Sequence, residues 1–187
     1  MAVTATWVEF NGGASGGSLG SALVNTLNFG GADVADLSPV NYPIIAGTNS
    51  FVKYWKVQWS GSFTKIENLK LWKSAGVLKS GEYIKFSGSY IKVGSPSATA
   101  LPDIGGISVP NIPTSQPGNN NIAFTKWNTA NHTTTVGSVP NNSQPESSPG
   151  YYSGSKSSMM VFQLQTAHNA GAGAVNQKII SLTYDRQ

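Results

Sequence analysis

Between Phe51 and Trp59 large apolar side chains recur at every second position with one break. Phe51, Trp55, Val57 and Trp59 share one parity, with Lys53 as the exception, and Val52, Tyr54, Lys56 and Gln58 share the other. Period two with aromatic and β-branched residues fits a half-buried strand and does not fit a helix, which needs apolar residues at a period of about 3.6. The pattern recurs. Ile84 and Phe86 fall on one face of Glu82–Phe86, and Met160, Phe162 and Leu164 on one face of Ser158–Gln165. Near the end, Ile180, Leu182 and Tyr184 alternate with Ser181 and Thr183. Ala5–Phe10 is a short strand-like piece, and Phe63–Trp72 reads as a further strand pair. Ser74–Ser80 is too short for a helix alone. The chain is therefore expected to be all-β, an antiparallel β-sandwich or barrel-like domain. The last two alternating segments, joined by a Gly-Ala turn, are expected to pair as a hairpin.

Punctuation divides the chain. Residues 1–50 hold the short first strand, the flexible run Asn11–Ser18 and weakly alternating apolar residues, and read as an N-terminal arm with edge strands. Residues 51–187 read as the β-sandwich domain. Within it, residues 94–150 hold most of the ten prolines among Asn, Ser, Thr and Gly, a composition suited to long loops and short edge strands. On this division, a chain without residues 1–30 is expected to keep the domain folded.

Charged residues make up 11% of the 187, against about 25% in an average soluble domain. Such sparse charge suits a surface that becomes covered by neighbours. The balance is uneven. Residues 1–52 carry Glu9, Asp33 and Asp36 with no Lys or Arg, whereas residues 53–92 carry eight Lys against Glu67 and Glu82. These lysines are expected on solvent faces and strand edges, where they discourage stray pairing, and nucleic acid is not an expected partner. With no Cys, disulfides and thiolate chemistry are excluded. No apolar run reaches the roughly 18 residues of a membrane span, and the first residues lack the basic and apolar regions of a secretory signal.

Catalytic patterns are sparse, and no enzyme activity, metal or cofactor is expected. His132 and His168 are far apart and outside any metal-ligand spacing. Glu67 and Glu82 could serve glycoside hydrolysis only if the fold brought them together. Gly12–Gly17 lacks the Gly-Lys-Ser/Thr ending of a phosphate loop. The sequons at Asn131 and Asn141 carry no weight without secretion. Aromatics offer more. Trp55, Trp59, Trp72 and Trp127, with Tyr83, Tyr90, Tyr151 and Tyr152, could stack on sugars or on single-stranded nucleic acid, although Trp55 and Trp59 share the face of Val57 and so belong to the core. Large aromatics at loop borders are also enriched in protein interfaces. Trp7, Phe10, Leu23, Phe29, Trp127, Tyr151 and Tyr152 are the candidate partner contacts.

The order of motifs carries a resemblance. Tyr54-Trp55-Lys56-Val57-Gln58-Trp59 leads to Gly61–Lys73, then to the Pro-rich centre Asn111–Gly118, and then to Val161-Phe162-Gln163-Leu164-Gln165, a Gly-Ala turn and Leu182-Thr183-Tyr184-Asp185. Over about residues 25–187 this resembles small structural proteins of tailed bacteriophages. The resemblance implies a virion component, made in the host cytoplasm and located in the particle. Its partners would be other virion proteins, the major capsid protein first among them, and copies of itself. A head decoration or capsid-stabilising role is the first expectation. A tail or neck component is the second, and a carbohydrate-binding module on a virion surface is the third.

Overall fold

The computed structural model describes residues 3–11, 21–22, 27–61, 63, 65–88, 109–122, 139–140, 155–157, 160–170 and 177–186. Among them no helix forms and every strand pairing is antiparallel. The strands are β1 (Thr4–Glu9), β2 (Ser21–Ala22), β3 (Lys53–Ser60), β4 (Lys65–Ala75), β5 (Glu82–Ser87), β6 (Val139–Pro140), β7 (Ser155–Lys156), β8 (Met160–Thr166) and β9 (Ile179–Arg186). The larger sheet runs β2-β1-β3-β8-β5, with β7 also pairing β3, and the smaller runs β6-β4-β9.

The two sheets share one core. Trp55, Val57 and Trp59 of β3, Met160, Phe162 and Leu164 of β8, and Ile84 and Phe86 of β5 face Ile66, Leu69 and Leu71 of β4, all buried. Aromatic contacts join the strands: Trp55 lies 5.1 Å from Phe162, and Phe162 lies 5.0 Å from Phe86. Across the layers, Trp59 meets Tyr184 edge-on at 6.1 Å, the separation and tilt that aromatic quadrupoles favour.

The structure changes several expectations. The segment expected as a strand pair over Phe63–Trp72 is one 11-residue strand with irregular register. Asn68 takes φ 53°, and this bulge inserts a residue opposite β9. The parity of β4 switches there, so Ile66 before the bulge and Leu69 and Leu71 after it all reach the core. The final two strands do not form a hairpin. β8 pairs β3 and β5, whereas β9 pairs β4 in the other sheet.

Lys53 and Lys56 are fully buried, contrary to the expected solvent position. β3 is the central strand of its sheet, and its second face is also covered: Val52, Tyr54, Val109 and Val161 form a second buried cluster, with Phe10 packed against it. Lys56 lies on that side, with its Nζ 5.7 Å from the Phe10 ring centroid, within cation–π range. On the core side the Lys53 Nζ donates 2.7 Å bonds to Glu9 Oε1 and to the carbonyl of Val34.

Parts of the expected arm are integral to the sheet. β1 pairs β3 from Thr4↔Ser60 to Glu9↔Trp55. Beyond its end the Asn11 amide continues the ladder, donating to Val52 O at 2.7 Å and accepting from Tyr54 N at 2.9 Å. Residues 27–51 return along the same end. Phe51 N donates to Gly30 O and Ser50 N to Leu164 O, while Leu164 N donates to Ser50 Oγ.

Part of the Pro-rich region clamps the sandwich edge. Ile112 N donates to Ile84 O on β5, while Lys73 N on β4 donates to Pro113 O. Asn121 then binds β4 with its side chain, accepting from Leu71 N at 2.8 Å and donating to Leu71 O at 2.7 Å. Segment 109–122 thus ties the β5 edge of one sheet to the β4 edge of the other, with Ile112 and Ile122 in the core.

Candidate interaction surface

One end of the sandwich is built where β4 and β8 finish and β5 and β9 begin. Its loops are held by short-range chemistry. Gly47 N and the Thr48 carbonyl both bond the Thr166 hydroxyl, Ala167 N donates to Gly81 O, and Glu82 Oε2 accepts from Lys79 N at 2.9 Å. The same carboxylate pairs with Lys178 Nζ at 3.1 Å, both side chains being largely buried. Gly47, at φ 81°, packs against the His168 ring, and Gly76, at φ 80°, packs against Gln177 and Lys178. Left-handed backbone of this kind favours glycine, and the loops are accordingly pinned to one another.

On this framework stand large apolar side chains that face water. Ile45 is 72% exposed, Val77 70% and Ile179 54%. In the loop leading to Ile45, Val40 is 87% exposed and Tyr42 40%. Single exposed apolar residues are ordinary, whereas several on adjoining, well-anchored loops make this end a candidate contact surface. Keeping them in water forgoes about 1.5–3 kcal/mol for each side chain that a partner would fully bury.

The outer face of the smaller sheet has a different chemistry. Trp72 pairs with Ser181 and Lys70 with Thr183. Both pairs point away from the core, which takes Leu71, Ile180 and Leu182. Gln116 Nε2 reaches Thr183 Oγ1 at 3.5 Å, and Asn68 Nδ2 donates to Asp185 Oδ2 at 2.6 Å. The half-buried Trp72 indole thus shares this face with hydroxyl and ammonium groups.

Of the candidate contacts read from the sequence, three lie among the described residues and pack against the protein's own core. Trp7 is half-buried and lies 5.5 Å from Trp55; Phe10 packs on the second cluster and Phe29 on the main core. Leu23, Trp127, Tyr151 and Tyr152 lie outside the described residues, as do Tyr90, His132, Gly12–Gly17 and the two sequons. Glu67 and Glu82 do not meet: Glu67 pairs with Asp185 at one end of β9, and Glu82 sits at the other end beside Lys178. Among the described residues no group of three or more His, Cys, Asp or Glu could hold a metal ion, and no helix is long and apolar enough to cross a membrane. Sequence reasoning missed Val40, Ile45, Val77 and Ile179, which sit in turns or at a strand start, outside any periodic pattern.

The fold is that of an antiparallel β-sandwich protein. Comparison of the chain with protein-family models, curated proteins and solved structures finds no match.

Proposed function

We propose that this protein is a structural component of a tailed-phage particle that works through protein–protein contacts, most of all a head decoration or capsid-stabilising protein. The observation that carries the contact role is the apolar end surface, where Ile45, Val77 and Ile179 stand exposed on mutually anchored loops. The motif order from Tyr54 to Asp185 supports the virion assignment. The major capsid protein and further copies of this chain are the proposed partners. In a symmetric shell, weak contacts through such a surface multiply by avidity. Cryo-electron microscopy of purified particles tests the proposal. Density for this chain on the head lattice, with the Ile45–Val77 end against a neighbour, supports it. Density at the neck or tail moves the role to the second expectation, and absence from every particle overturns the virion role.

A second reading has its own observation. Trp72, with Lys70, Ser181 and Thr183 on the same face, suits stacking on a sugar ring with hydrogen bonds to its hydroxyls. Glycan-array binding that is lost in Trp72→Ala would favour a carbohydrate-binding role.

A further inference from the structure

Among the described residues the smaller sheet is narrower than the larger one. Segment 109–122 closes the sandwich on the β5 and β4 side, which leaves β9 over β3, where Tyr184 meets Trp59. The larger sheet continues past that point to β1 and β2, with no described strand of the smaller sheet above them. The exposure of β1 records the gap. Ala5 pairs with Trp59 and Trp7 with Val57, so both point to the core side. Yet Ala5 is exposed and Trp7 only half-buried.

β9 shows the same deficit from the other layer. Its core-facing Ile180, Leu182 and Tyr184 are half-buried, whereas Ile66, Leu69 and Leu71 on neighbouring β4 are fully buried. Among the described residues β9 is also the terminal strand of its sheet. A row of unpaired backbone groups on an edge strand is a template for another strand, and proteins usually blunt it with Pro, Lys or a bulge. β9 has none of these between Ile179 and Tyr184; its charges are confined to Asp185 and Arg186, and the register shifts in its pairing fall where β4 carries Asn68 and Ser74.

From these features we infer that the outer edge of β9 receives an extended peptide strand from a partner protein, which lies over Val3, Ala5 and Trp7 of β1 and completes the sandwich. The strand next to β9 falls about 4.8 Å away, above the larger sheet. The overhang of β1 and β2 leaves room there for one strand and obstructs a second whole sandwich docked edge to edge. The slot is uncharged from Ile179 to Tyr184 and from Val3 to Trp7, so a charged side chain aimed into it would be buried without a counter-ion. The occupant is therefore an uncharged segment with apolar residues at every second position. Main-chain bonds give it affinity, and the contacts with Trp7 and Leu182 give it register.

The inference rests on the reading of the chain as one that works through protein contacts, but its test is separate from the particle experiment. The probe is a capped peptide of alternating Val and Thr, as long as the eight residues of β9, with two versions N-methylated at alternate positions. Amide hydrogen exchange is followed across the full chain. The expected result is that the parent peptide slows outward-facing β9 amides at least about tenfold. One N-methylated version should do the same, while the other, and a peptide with Lys at a central Val, should not. Unchanged β9 exchange, or equal protection by all four peptides, would overturn the inference. So would β9 protection in the free chain that grows with its concentration, because a second copy would then fill the slot. Failure here leaves the Ile45–Val77 surface and the virion proposal standing, and absence from particles leaves the β9 slot standing.

Discussion

The Lys53 ammonium and the Glu9 carboxylate are joined at 2.7 Å inside the sandwich, with both side chains almost wholly removed from water. Glu9 Oε2 also accepts from Asp36 N at 2.9 Å, and Lys53 holds the Val34 carbonyl. The pair therefore links β1, β3 and the segment around residues 34–36. Removing one partner strands the other charge, which costs about 3–5 kcal/mol, whereas replacing both by apolar residues of similar size is often neutral. Lys53→Met and Glu9→Gln should each lower stability in urea unfolding by roughly that amount. The double variant Lys53→Met/Glu9→Leu should recover most of the loss.

Truncation of residues 1–30 follows the same logic. It removes β1 and leaves Lys53 buried without its carboxylate. The truncated chain is expected to lose its cooperative unfolding transition and near-ultraviolet aromatic signal. An intact transition would show that β1 is dispensable.

Gly88 lies against the backbone of Asn121 and Ile122 so closely that a Cβ would collide with the Asn121 carbonyl. Overpacking against backbone costs about 1–3 kcal/mol or more. Gly88→Ala should therefore destabilise the protein by at least that much. Asn121→Leu, which strips both side-chain bonds from Leu71, should cost about 1–3 kcal/mol. The two effects should be non-additive, because both loosen the same clamp.

Asn68 tests the bulge. Its φ of 53° is tolerated by Asn and Gly and is unfavourable for β-branched residues. Asn68→Gly should leave stability within about 1 kcal/mol despite losing the bond to Asp185, and Asn68→Val should cost about 1–3 kcal/mol. Thermal unfolding of both variants checks the ordering.

Ile45→Ser, Val77→Ser and Ile179→Ser together should change stability little, since exposed substitutions are usually within about 0.5 kcal/mol each. Incorporation into particles, measured against the unaltered chain in competition, should fall sharply. Equal incorporation would exclude this end as the contact.

The sequence was legible where one residue type dominated one face. Trp55, Val57 and Trp59, Ile84 and Phe86, and Met160, Phe162 and Leu164 were all readable as core from parity, and all are buried. Parity failed where its assumption of one wet face failed. Lys53 and Lys56 lie on a central strand covered on both sides, and charge alone gives no sign of a distant Glu9 or Phe10. It failed again at Asn68, where one left-handed residue moves Leu69 and Leu71 to the opposite parity from Ile66. Strand partners were less legible still, because β8 and β9 are neighbours in sequence and yet belong to different layers. Of the interaction surface, the aromatics near Trp7 were visible but are committed to packing, and Ile45 and Val77 carry no signal until the loops are placed.

The pairing of β4 with β9 has a consequence for synthesis. Asn68 meets Asp185 across 117 residues, so a ribosome has to add that whole stretch before the smaller sheet acquires its second long strand. Throughout that interval Ile66, Leu69 and Leu71 are without the neighbour that fixes their strand, and long-range β pairing is slow and exposed to aggregation. Yield of the native protein should accordingly depend on the pace of translation and on chaperone supply.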